Sequence, residues 1–115
     1  MEKQFDFNDC GVCMNPNVTS YVSGKTKCML ETCYTKRGWS GSWSIMGNTW
    51  GTACPCTAEH YDKFFKTEAE CIAYVAKKSL DILSQHLTEK EMKFFNKELK
   101  VLIKPHPIQL SLFDF

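Results

Sequence analysis

The sequence predicts an α+β fold: a small antiparallel β meander over residues 18–54, a helix over 67–86, a second helix over 89–103 and an extended C-terminal tail. Three observations predict it. Short β-branched and aromatic runs alternate with glycine-containing turns up to Cys54. From Phe64 onward the apolar spacing changes to that of a helix. Two Thr-x-x-Glu boxes then open two apolar stripes in succession.

The meander begins with Val18–Val22, a short β-branched run, and turns at Ser23-Gly24-Lys25. Thr26–Tyr34 is the second strand, with a turn at Lys36-Arg37-Gly38. Trp39–Met46 is the third, and Trp39, Trp43 and Ile45 share one parity, so they fall on one face of the sheet. Gly47-Asn48 makes the next turn, and Thr49–Cys54 is the last strand. The first helix starts at the box formed by Thr67 and Glu70, and Ala69, Ile72, Ala73, Ala76, Leu80, Leu83 and Leu87 make its stripe. Thr88 and Glu91 form the second box; Met92, Phe95, Leu99 and Leu102 follow, and Pro105 ends the helix. Two start signals so close predict a break near Leu87-Thr88, with one long bent helix as the alternative. Such elements pack as a sheet covering one face of the first helix, with the second helix at an edge.

At 115 residues the chain is long enough for one domain with a modest core. The expected division is a single body, 1–103, whose N-terminal half is cysteine-rich, and a linker with tail, 104–115. The formal net charge is +1, which argues against a broad electrostatic footprint on duplex DNA. No apolar run approaches the roughly 20 residues that span a bilayer, so no membrane association is expected. The opening MEKQFDFNDC has no apolar stretch of the kind an export signal needs. The expected location is the cytoplasm, where thiols stay reduced.

Seven cysteines are an odd number, which favours thiols or a metal site over a complete set of disulfides. Cys10-Gly11-Val12-Cys13 suits a tight turn aiming two thiolates at one tetrahedral ion. Its partners could be Cys54 and Cys56, or Cys28 and Cys33. On a regular strand Cys28 and Cys33 differ in parity and point to opposite faces. Cys54 and Cys56 share parity across Pro55, with His60 nearby as a substitute ligand. The preferred zinc set is therefore Cys10, Cys13, Cys54 and Cys56; the other reading is that these are buried small hydrophobes. A thioredoxin-type site at CGVC would need a strand before it and a helix N-terminus at the first cysteine. Asp9 before it and Asn15-Pro16 after it argue against that.

Trp39, Trp43 and Trp50, with Tyr34 and Arg37, could instead form a stacking platform for single-stranded nucleic acid. Aromatics on a small sheet serve more often as core under a helix. His60, His86 and His106 are scattered, and no phosphate loop, paired-carboxylate motif or nucleophile elbow occurs. A binding protein is therefore expected rather than an enzyme.

The tail carries the most specific signal. Gln109-Leu110-Ser111-Leu112-Phe113 comes just after a short extended, proline-containing linker, Lys104–Pro107. It resembles the short peptide, commonly Gln-Leu-Ser/Asp-Leu-Phe, by which bacterial replication and repair proteins dock on the DNA polymerase sliding clamp. All five positions match. The resemblance implies that Gln109 hydrogen-bonds at the pocket mouth and Leu110 fills a small subsite. It makes Leu112 and Phe113 the apolar anchors and Ser111 the tolerant middle position. The pattern should arise by chance in on the order of one in 10^4 chains of this length, so it outweighs the rest of the sequence as a guide to function. The other reading of these residues is an edge strand, Ile108–Phe113, packed on the protein's own sheet. Trp39–Leu83, a glycine-rich aromatic meander leading into a helix, is similar to small strand-then-helix modules of phage and mobile-element proteins that work around DNA. The expectation that follows is an adaptor or regulatory protein in DNA replication, repair or mobile-element maintenance. The alternative is a zinc-stabilised nucleic-acid-binding domain whose tail folds back.

Overall fold

The structure, a computed structural model, describes residues 4–54, 56 and 63–103. The Gln109–Phe113 motif, Pro55 and His60 lie outside the described residues. Strand β1 (Asn17–Ser23) pairs with β2 (Thr26–Thr35), β2 with β3 (Gly38–Met46), and β3 with β4 (Gly51–Ala53). Every pairing is antiparallel, and the strand order equals the chain order. Two helices follow, α1 (Glu68–His86) and α2 (Glu89–Ile103). Helix α1 lies across β2 and β3, and α2 packs on α1 and reaches β1. The fold is α+β, as the periodicities predict. No helix among the described residues is long and apolar enough to cross a membrane.

The helices begin where the Thr-x-x-Glu boxes place them. The Thr67 hydroxyl accepts from the Glu70 amide at 3.2 Å. At α2 the box is reciprocal: Thr88 N donates to Glu91 Oε1 at 2.9 Å, and Glu91 N donates to the Thr88 hydroxyl at 3.2 Å. Leu87 between them is extended and its amide returns to the Leu83 carbonyl, so the chain breaks into two helices rather than bending as one.

Register fixes which side chains share a face, because residues directly opposite in a ladder point the same way. Tyr21, Cys28 and Ile45 form one cross-strand row, and Thr19, Leu30 and Trp43 the next. These rows meet the helices, and Cys28, Leu30, Ile45, Val75, Leu83, Phe95 and Leu99 form the main core. Gly41 belongs to the same face. A Cβ there would lie 2.6 Å from Cys71 Sγ and would also collide with Val75 Cγ2, so α1 crosses the sheet where a side chain is missing.

Two elements differ from expectation. The deepest residues of α1 are Cys71, Val75, Ala76, Ser79 and Leu83, whereas Ala69 is exposed and Ile72 and Leu80 are half-buried. The helix is turned so that Cys71, which its place in the stripe beside Ile72 marks as core or boundary, is buried together with Ser79, a polar residue that does not register in an apolar stripe. The last strand is shorter than Thr49–Cys54: the Gly47 amide bonds the Trp50 carbonyl at 2.8 Å, and Trp50 leaves the strand to stack on His86, rings 4.1 Å apart.

A buried thiol cluster as the candidate functional site

The face of the sheet away from the helices is partly covered too. Cys33 pairs across to Ser40, and its odd position puts it opposite Cys28, as the parity argument requires. Cys33 is nevertheless completely buried. Its neighbours in a second core are Cys13 and Cys56, with Phe5 packed against them. Three thiols from sequence-distant segments thus meet in one place.

Local hydrogen bonding places Cys13. Asn8 Oδ1 accepts from the Cys10 amide at 2.9 Å and the Val12 amide at 3.0 Å. The Asn8 amide donates to the Val12 carbonyl, and the Asn8 carbonyl accepts from Gly11. Gly11 takes φ 82°, a left-handed conformation that costs glycine little. Asn15 ties down the other end, accepting from the Asp6 amide and donating to the Gln4 carbonyl. The turn sends Cys13 inward, where its amide donates to the Cys56 carbonyl at 2.7 Å. It leaves Cys10 exposed.

The sulfurs of Cys33 and Cys56 lie 3.1 Å apart and share a hydrogen bond. A hydrogen bond to Cys56, and then burial, pushes the Cys33 thiol up. The same bond draws Cys56 down, helped by the Ser40 and Ser42 hydroxyls and opposed by burial and by Glu31. Burial raises the carboxyl of Glu31 in turn. Cys71, on the helix side, is pushed up to about 12, first by burial.

Of the zinc set drawn from the sequence, Cys13 and Cys56 come together, Cys10 is at the surface and Cys54 is half-buried. Cys33, weighed in the sequence only together with Cys28 and set aside because the two differ in parity, is the third member of the cluster; its odd position on a strand whose even positions face the helices is what separates it from Cys28. Among the described residues no three or more His, Cys, Asp or Glu side chains form a group that could hold a metal ion. The 3.1 Å separation agrees with this. Two thiolates bound at 2.3 Å to one tetrahedral ion stand about 3.8 Å apart.

The aromatic residues are occupied within the fold. Trp39 exchanges two backbone hydrogen bonds with Phe65 and meets Phe5 and Tyr34 edge-on. Trp43 packs on the main core, Trp50 on His86, and Arg37 lies 4.4 Å above the Phe64 ring. Trp39, Trp43 and Trp50 are partly buried, whereas Tyr34 and Arg37 are exposed. Comparison of the chain with protein-family models, with curated proteins and with solved structures gives no match.

Proposed function

We propose that this chain is a small adaptor of bacterial DNA replication or repair that docks on the polymerase sliding clamp through Gln109, Leu110, Ser111, Leu112 and Phe113. The observation that carries the reading is the match of all five residues to the clamp-docking pattern. Physical chemistry supports it. A short extended peptide with apolar anchors needs only a preformed groove on its partner. Burying Leu112 and Phe113 stabilises the complex by roughly 1.5–3 kcal/mol each, less the cost of ordering the peptide. The body's part in this reading is to be carried to the clamp or to occupy it, and no catalytic step is assigned to it.

A titration of the whole protein against a bacterial sliding clamp tests the proposal. Replacing Leu112 and Phe113 together by alanine should weaken binding about 100-fold or more. Undiminished binding by that variant would refute the docking role, as would failure of the unaltered protein to bind.

A further inference from the structure

We propose that Cys33 and Cys56 form a redox-active pair, closed to a disulfide by a small peroxide and reopened by thiols. The proposal is independent of the clamp reading and rests on the second core.

The geometry comes first. At 3.1 Å the two sulfurs are closer than ordinary non-bonded contact and about 1 Å short of a disulfide bond. Cys33 sits in a regular strand, whereas Cys56 lies beyond the end of β4 and belongs to no helix or strand. The shift that closes the bond therefore falls on Cys56 and leaves the sheet pairing intact.

The surroundings supply the second argument. Ser40 and Ser42 are buried, and their hydroxyls have no hydrogen-bond partner among the described residues. A buried hydroxyl without a partner is costly. Both bear on the Cys56 sulfur, and a thiolate there would accept from them. A neutral Cys56 instead donates to the Ser40 carbonyl at 3.2 Å. Among the described residues, Glu31 opposes ionisation of Cys56, and the thiols of Cys13 and Cys71 are the other titratable groups that bear on the pair. The site is thus furnished for one thiolate and one thiol.

The chemistry balances with hydrogen peroxide as oxidant. The Cys56 thiolate attacks one peroxide oxygen, the O–O bond breaks, and hydroxide leaves to give a sulfenic acid. The Cys33 sulfur then attacks the Cys56 sulfur, and the sulfenic oxygen departs as water with the Cys33 proton. In sum, two thiols and one peroxide give one disulfide and two waters. Access requires only that the cover over the cluster open locally, the Phe7–Cys13 bridge being part of that cover.

The test is peptide mapping of the whole protein, reduced, exposed briefly to hydrogen peroxide and digested without reductant. Cys28 and Cys33 share a tryptic peptide, and so do Cys54 and Cys56; cleavage after Glu31 separates the first two, and the Cys54→Ser variant distinguishes the second two. A link between Cys33 and Cys56, loss of two alkylatable thiols, and recovery of both with dithiothreitol are expected. Cys13→Ser, Cys28→Ser and Cys54→Ser should each leave the link in place. Oxidation that joins other cysteines, or that reaches sulfinic acid without a link, overturns the proposal. So does purified protein carrying one zinc per chain, with these two thiols alkylated only after the zinc is removed. None of these chains alters Cys33 or Cys56, so the mapping decides even if Cys33→Ser fails to fold.

Discussion

Gly41 offers the sharpest structural prediction, because an added methyl there has nowhere to go. The Cβ of an alanine would stand 2.6 Å from Cys71 Sγ and would collide with Val75 Cγ2. Both neighbours are fully buried on α1, so neither can swing away without lifting the helix. Overpacking of this kind costs about 1–3 kcal/mol. Relief of glycine's backbone entropy returns roughly 0.5–1 kcal/mol. Gly41→Ala should therefore destabilise by about 1–2 kcal/mol net, a fall of roughly 5–15 °C in melting temperature for a body of this size. The assay is thermal unfolding of a double-mutant cycle with Val75→Ala. Val75→Ala alone should cost about 2–3 kcal/mol. The double variant should be at least about 1 kcal/mol more stable than the sum of the singles, because the new methyl occupies space the valine vacates. Additivity within about 0.5 kcal/mol would refute the claim that α1 is seated on Gly41.

Two further predictions concern the helix starts. Glu68 Oε2 accepts from Thr32 Oγ1 at 2.7 Å and from Asn17 Nδ2 at 2.8 Å, tying the first turn of α1 to the sheet. Glu68→Ala should cost about 1–3 kcal/mol, because the buried Thr32 hydroxyl loses its acceptor; an unchanged urea midpoint would contradict this. The Thr88 amide, and then its hydroxyl, holds the carboxyl of Glu91 below its ordinary 4.5. A depressed folded value stabilises at neutral pH, and the contribution fades as pH falls below about 4.5 and through that folded value. Glu91→Ala should lower the melting temperature at pH near 7 and lower it less near pH 3. An equal deficit at both pH values would show that the carboxylate is not the source.

Much of the architecture was legible in the residues. The helix starts followed from Thr67 and Thr88, because a cap is a local contract between a hydroxyl and an amide three residues on. The separation of Cys28 from Cys33 followed from strand alternation alone. What escaped depended on distance in sequence. Nothing near Cys33 announces that Cys13 and Cys56 will meet it, since that meeting depends on how residues 4–16 are laid over the sheet. The turning of α1 was legible at Cys71, which falls in the stripe beside Ile72, and hidden at Ser79, a polar residue whose burial depends on what the helix packs against. The late start of β4 reflects a tertiary stack, Trp50 on His86, between residues far apart in the chain.

Strand β2 is read from both sides. Cys28 and Leu30 belong to the core under the helices, and Cys33 to the thiol cluster behind. A sheet with one wet face tolerates a one-residue insertion poorly but can hide part of the damage in solvent. Here a slip of one position would push Cys33 toward α1 and carry Cys28 and Leu30 into the opposite chamber, so both interiors would fail together. Length changes in this protein should therefore be confined to the hairpin tips at Gly24 and Lys36-Arg37, outside the stretch where the two interiors share a wall.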